Sequence, residues 1–542
     1  MQEKIIGLLK RYTGLKEIIL EIPPSPELGD YAFPCFPLAK IKKKNPAEIS
    51  LELSKEIKLI KGLEKIQSIG PYLNFFVDKS MQAGLVLKEI LKKKEKYGSK
   101  NLGKNKPFLV EHTSINPNAS PHLGRARNAI LGDAVSNLLR FQNYKVEVHY
   151  YVNDVGKQIA LLVLGCKKNT KFDQLLKIYV EMNKKLEKNP GLEKDVFQLL
   201  SNFERGDKKT IRRFKNTVDI CIKGQRAILK EIGIEYDFFD YESKYLFNKQ
   251  TNKLLERLKK TKKLFEDEES RFVLDQSGFN LPMKTPYLVL TRSDKTSLYP
   301  LRDLAYTTEK MKRSKNNLLI LGEDQKLYFQ QLKFALFLLK QPFPEVVHYS
   351  FVLLSTGKMS TRKGNLVLLE DFMKEAVKKA EKKSNKKVAK AVAHAAIKYS
   401  ILRVSQDKNV TFDWDQALSF EGETGPYLQY TLARSSSILR KSTFKDKNVN
   451  FSLLKEPAEA ELIKKLEIFP GVVEKASIKY QPHLLANYLF LLCQNFNEFY
   501  HKYPVLNAEK EVREARLILV KAVNQVLKTG LRLLGISPIE KM

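Results

Sequence analysis

The sequence predicts an α/β protein: a doubly wound parallel-sheet domain in mid-chain, a smaller α+β domain before it, and an all-α bundle after it. Three observations predict this. Between residues 107 and about 355, short apolar strand candidates alternate with helical segments, the pattern of a parallel sheet covered by crossover helices. Beyond about residue 400 the strands vanish and four long apolar-periodic segments take over. The chain has 542 residues, 43% of them hydrophobic, enough for about three domains at roughly 100–200 residues each.

In chain order, residues 1–101 form the α+β unit. Residues 5–20 are amphipathic, 22–33 are turn-rich with prolines and Gly29, 46–61 are helical, 72–77 strand-like and 81–91 helical. The lysine- and glycine-bearing stretch that follows reads as a linker. The central domain, 102–400, opens with a strand at 108–110 and a helix from about 123 to 140, in which Leu123, Ala126, Ile130, Ala134 and Leu138 repeat at helical spacing. Further strands are expected at 146–152, 287–290, 318–321 and 349–354, and residues 155–265, mostly helical and charge-rich, read as an insertion. Residues 378–390 read as a basic helical stretch with a solvated face. In the last domain, 401–542, helices are expected at 425–442, 459–476, 482–503 and 509–534.

Lysine plus arginine number 95 against 61 acids, a formal charge of +34. That surplus favours polyanionic partners, although a lysine-rich solvated surface explains it as simply. No apolar run reaches the ~18–20 residues of a membrane span, and the N-terminus has neither a signal-peptide nor a transit-peptide pattern, so a cytoplasmic protein without membrane association is expected. Four dispersed cysteines offer neither a disulfide framework nor a four-thiolate metal site.

Two segments carry chemistry. In EHTSINPNASPHLGRARNAILGD (111–133), a strand ends, a loop turns the chain and a helix begins near His122. Its N-terminal amides and dipole make an anion site. Gly124 allows close approach by a base or phosphate, and His122 can donate to phosphoryl oxygens. Alone, such a histidine reads as structural; the strand–loop–helix setting points to phosphate. In GKMSTRKGN (357–365), Lys358, Arg362 and Lys363 stand with Ser360 and Thr361 between two glycines, suited to neutralising charge on a leaving pyrophosphate. No GxxxxGK[ST] occurs, so an ATP site here is not of the P-loop type.

Paired in this order, the two segments resemble the HIGH and KMSKS signatures of class I aminoacyl-tRNA synthetases, and the central fold is accordingly expected to be Rossmann-like and HIGH-type. Further stretches resemble the arginyl-tRNA synthetases: GDYAFP (29–34), GPYLNF (70–75), NDVGKQ (153–158), YPLRDLA (299–305), LGEDQKLYF (321–329), ETGPYLQYTLAR (423–434), FNEFYHKYPVL (496–506) and LLGISPIEKM (533–542).

The resemblance implies ATP-dependent formation of arginyl-adenylate and transfer to the 3′-terminal ribose of tRNA(Arg). It implies arginine recognition by Glu111, Asn116, Tyr299, Asp303 and Gln325, two of them acids, as a guanidinium requires. It implies ATP contact by His122, Gly124, Lys358, Met359 and Ser360, and catalysis by His122, Gly124, Arg125, Lys358, Arg362 and Lys363. Mg²⁺ is expected to arrive with ATP, with no structural metal. By residue type alone Tyr427 and Tyr430 read more readily as bundle core than as stacking residues; the resemblance implies tRNA contact for the N-terminal domain and, in the anticodon-binding bundle, for these two tyrosines and the terminal Met542. A monomer is expected, and binding of tRNA before arginine is activated. Two positions depart from the signatures: Arg125 replaces the second HIGH histidine and Thr361 the second KMSKS lysine.

Overall fold

The computed structural model describes residues 1–354, 367–442 and 449–542, which divide into two compact units.

The first unit comprises residues 1–97, 435–469 and 494–526. Its antiparallel sheet has the central strand Tyr72–Val77 between Tyr31–Pro34 and Leu63–Ile69. Inward residues Phe33, Leu73, Phe75 and Val77 meet Ile5, Leu8, Leu9, Ile49 and Leu53 from the Gln2–Thr13 and Pro46–Glu56 helices. Only the middle strand is expected from the sequence; its two neighbours carry too few apolar residues in alternation to stand out. Within the amphipathic stretch the first helix stops at Thr13, because Gly14 takes the left-handed φ of 68° and donates to the Lys10 carbonyl.

The second unit comprises residues 98–434, 470–493 and 527–542. Its five-stranded sheet runs Glu345–Tyr349, Asn317–Gly322, Pro107–Glu111, Lys145–Val152, Phe238–Tyr241, and every neighbouring pair is parallel. Strands taken in chain order lie 5-4-1-2-3, so the order reverses between Pro107–Glu111 and Asn317–Gly322. Crevices at the carboxyl ends of strands at such a reversal are where doubly wound sheets bind ligands. The Leu123–Phe141 helix packs Leu131, Val135 and Leu139 on the sheet beside Phe108, Val110, Leu318 and Ile320.

Four expectations are corrected here. Phe238–Tyr241, inside the stretch read as a helical insertion, is the edge strand of the main sheet; its sequence, FFDY, is too short to show a period. The strand expected at 287–290 is seen as Tyr287–Val289, but in a separate antiparallel sheet with Leu264–Glu266 and Phe272–Asp275. The strand expected at 349–354 breaks at Ser350. Its first part stays in the main sheet, and Val352–Leu354 pairs with Val410–Phe412, a strand beyond residue 400 where none was expected. The buried Arg127 guanidinium makes the break possible by taking the Ser350 and Phe351 carbonyls at 2.7 and 3.2 Å, together with the Ser405 and Gln406 carbonyls. Residues 378–390 are two helices, not one: Leu369–Glu381 ends and Lys386–Leu402 begins on the Asn385 cap. The long helices Gly425–Arg440, Pro457–Ile478, Pro482–Lys502 and Lys510–Leu533 lie within one to two residues of their expected bounds.

Candidate active site

The loop leaving Pro107–Glu111 carries the first signature, and its backbone is unusual. Thr113 and Ser114 have φ of 77° and 43°, conformations that cost side-chain-bearing residues on the order of 1–3 kcal/mol each. Buried polar groups hold them there. The Thr113 amide donates to Asn128 Oδ1 at 2.6 Å, and the Thr113 hydroxyl meets His112 Nδ1 at 2.8 Å and Tyr236 at 2.7 Å. The Tyr150 hydroxyl accepts from the Ile115 amide at 3.0 Å and donates to Gln225 Oε1 at 2.8 Å. Gln225 Nε2 donates to the Asn116 and Ala119 carbonyls at 3.1 and 2.8 Å. None of these supports was singled out from sequence. Their one signal is a polar residue, such as Asn128, on the apolar stripe of the helix.

His122 caps the Leu123–Phe141 helix, with no side-chain hydrogen bond to it. Its buried Nδ1 has no partner among the described residues. Burial, reinforced by the Arg125 charge, lowers its pKa to about 4, so the imidazole is neutral at physiological pH. Gly124 lies in the first turn, where amides have no intrahelical acceptor. The second signature, with Lys358, Met359, Ser360, Thr361, Arg362 and Lys363, lies outside the described residues. The chain just after it returns to His122: the Leu123 amide donates to the Val367 carbonyl at 3.1 Å and the Leu369 amide to the Pro121 carbonyl at 2.8 Å.

Across the sheet reversal, the Tyr299–Arg313 helix presents Tyr299, Asp303, Thr307 and Lys310. Asp303 accepts from the Tyr328 hydroxyl at 2.8 Å and from Thr307 at 3.3 Å. The neighbouring Arg302 does not pair with it; Arg302 turns inward to the buried Glu242 at 2.6 Å. Burial first, and then Glu111, raise the Asp303 carboxyl to about 6 against the pull of Lys310. Glu111 itself is 5% exposed and ion-paired with the buried Lys310. Tyr299 is 54% exposed, with its ring 5.3 Å from that of Tyr328.

The structure thus brings Glu111, Tyr299 and Asp303 together, and adds Tyr328 and Lys310 to them. The side-chain bonds of the other two expected residues run elsewhere: Asn116 donates to Gln158 at 3.1 Å, and Gln325 to Asp324 at 3.2 Å. In the NDVGKQ stretch, Asn153 reaches Glu242 Oε2 at 2.8 Å in its satisfied amide orientation, and Asp154 accepts from the Ser243 amide at 2.8 Å. These bonds fix the turn that delivers Gln158. Tyr430 is 40% exposed under the Arg434 guanidinium, 4.8 Å from the ring centroid, whereas Tyr427 packs on Phe490 with centroids 5.8 Å apart. Met542 is half-buried. Among the described residues, no three His, Cys, Asp or Glu side chains are grouped to hold a metal, and no helix is long and apolar enough to cross a membrane.

Comparison with known proteins identifies the family. Residues 86–414 match the family described as tRNA synthetases class I (R), catalytic domain. Residues 1–77 match the arginyl tRNA synthetase N terminal domain, and 428–542 the DALR anticodon binding domain. The chain is 38% identical to the arginine–tRNA ligase of Methanocaldococcus jannaschii, over 99% of each chain. It is 37% identical to that of Methanocella arvoryzae, over 94% of this chain and 92% of the relative. The arginyl-tRNA synthetase of Thermus thermophilus superposes with a TM-score of 0.84 at 28% identity, covering 100% of this chain and 99% of that one. On the catalytic-domain match and these full-length likenesses, the chain belongs to the class I arginyl-tRNA synthetases, the ligases that use ATP to join arginine to its tRNA.

Proposed function

We propose the following assignment of that reaction to residues. The guanidinium of arginine docks on Asp303, with Tyr299 and Tyr328 flanking it and Glu111 behind; Asn116 and Gln325 orient the α-amino and carboxylate end. The single observation that carries this reading is Asp303, an acid raised by burial and hydrogen-bonded, among the described residues, by hydroxyls alone. A carboxylate in that state gains most from an incoming cation.

The arginine carboxylate, already ionised, attacks the α-phosphorus of ATP in line, and pyrophosphate leaves. No general base is needed, so catalysis is positioning and charge stabilisation. Neutral His122 donates an N–H to a phosphoryl oxygen, the amide of Gly124 adds a second donor, and Arg125 a positive charge. Lys358, Arg362 and Lys363 gather the departing phosphates, with Met359 and Ser360 beside the nucleotide. Mg²⁺ enters as part of the MgATP substrate. The 3′-terminal ribose hydroxyl of tRNA(Arg) then attacks the arginyl carbonyl and AMP leaves.

Residues 1–101 and 401–542 bind the tRNA and residues 102–400 carry the catalytic groups, with Tyr430 and Met542 touching the tRNA directly and Tyr427 backing Tyr430. The enzyme works as a cytoplasmic monomer and binds tRNA before activating arginine. Arginine-dependent ATP–pyrophosphate exchange, measured with and without tRNA(Arg), tests the assignment. Exchange is expected only when both arginine and tRNA are present; exchange without tRNA would refute the binding order.

A further inference from the structure

Lys310 stands two turns beyond Asp303 on the same helix and is 3% exposed. Its ammonium is ion-paired with Glu111 and lies 4.6 Å from the Tyr306 ring centroid. Lysine is almost never buried without a partner. A buried ion pair, moreover, stabilises no better than apolar residues of the same volume. What the pair does change is the charge in the crevice. Glu111 and Lys310 cancel, Asp303 remains, and the sum is one negative charge, the complement of one guanidinium. Without Lys310, two buried carboxylates would face each other, and such pairs retain a proton.

The other groups around Asp303 are the same in every variant compared. Glu242 is paired with Arg302 at 2.6 Å; burial raises it to about 7, so its titration falls inside the range tested and is common to the wild type and the variants at 111 and 310. Asp240, bonded by His149 at 2.6 Å and by the Tyr306 hydroxyl at 3.0 Å, is a further carboxylate that faces Lys310. Burial raises the phenols of Tyr151, Tyr299, Tyr306 and Tyr328, so they stay uncharged at neutral pH.

We propose that Lys310 is a charge-setting residue of the arginine pocket: by occupying Glu111 it leaves Asp303 as the single uncompensated carboxylate and keeps it ionised for the guanidinium. The inference rests on the assignment of Glu111 and Asp303 to arginine. Lys310 touches no reacting atom; it is a positioning residue that acts through charge.

The test is the pH dependence of kcat/KM for arginine in tRNA aminoacylation from pH 5.5 to 9, with KM for ATP as control. The wild type, K310M, K310R, E111Q/K310M and D303N are compared. K310M is expected to move the acid limb upward by about 1–3 pH units, the effect of removing an opposite charge at close range. Its fold deficit is therefore largest at the acid end of the range and fades toward pH 9. K310R keeps the wild-type limb. E111Q/K310M removes both members of the pair, restores the net charge and returns the limb to its wild-type position whatever its absolute rate.

A K310M deficit of the same factor at every pH, or a limb still displaced in E111Q/K310M, overturns the proposal. If K310M does not fold, the double variant decides in the same way. D303N separates the two levels of the argument. If the limb persists in D303N, the pocket assignment and this inference both fall. If D303N abolishes the limb and K310M leaves it unmoved, only the charge-setting role falls.

Discussion

Replacing Asp303 by asparagine separates binding from stability, because the two are expected to move in opposite directions. The side chain keeps its shape. One amide position keeps an acceptor, and the other presents its N–H₂ to the Tyr328 hydroxyl, now 2.8 Å away and able to accept as well as donate. What is lost is a charge the fold disfavours. Burial raises the carboxyl from 3.8 to about 6, roughly two units at 1.36 kcal/mol each, so ionised Asp303 costs up to about 3 kcal/mol. A raised acid contributes its stability below the unfolded pKa and loses it as pH rises through the folded one. The cost is therefore fully present at pH 8 and absent below about pH 4. In urea unfolding, Asp303→Asn should be at least as stable as wild type at pH 8 and gain nothing at pH 4. In pyrophosphate exchange with tRNA present, it should lose a charge-assisted contact to arginine of about 1.5–3 kcal/mol, roughly 10- to 150-fold in kcat/KM. KM for ATP should stay within about twofold. A variant that unfolds more easily at pH 8 and loses arginine and ATP in equal measure would refute the reasoning: Asp303 would then be a structural acid.

Other expectations test neighbouring parts of the molecule. Arg125→His should retain appreciable aminoacylation, since the substituted position then matches the signature histidine; complete loss would assign Arg125 an indispensable contact. Arg302→Met should cost about 3–5 kcal/mol in equilibrium unfolding at pH 8, because it strands the buried Glu242 carboxylate; a loss below 1 kcal/mol would mean that Glu242 is already protonated there. Gly535→Ala should lower the thermal midpoint. Gly535 has a φ of +67°, and a Cβ there would strike the Asp133 carboxylate and come within 2.8 Å of Lys398 Nζ, at a cost of about 1–3 kcal/mol. An unchanged midpoint would show that this junction yields freely.

How far the sequence is legible depends on the range of the interaction. The helix at His122 and the central strands are written in local periodicity and apolar runs, and they appear within one or two residues of their expected bounds. Phe238–Tyr241 and Val410–Phe412 are strands of four and three residues, too short to carry a period. The residues at 287–289 were legible as a strand, but which sheet they join was not, since an apolar triplet fits either. Asp303 was legible as a candidate through a family motif. That Arg302 turns away to Glu242 was not, because the two lie 60 residues apart in sequence.

The sequence by itself determined the fold class, the order of the chemical motifs and the need for acids in a strongly basic chain. Only the tertiary structure decided which acid is free. Glu111 meets Lys310 across 199 positions of sequence, while Asp303 accepts hydrogen bonds from the Thr307 and Tyr328 hydroxyls. The physical reason is that elements form from local patterning, whereas the state of a buried charge depends on desolvation and on partners brought together from distant segments.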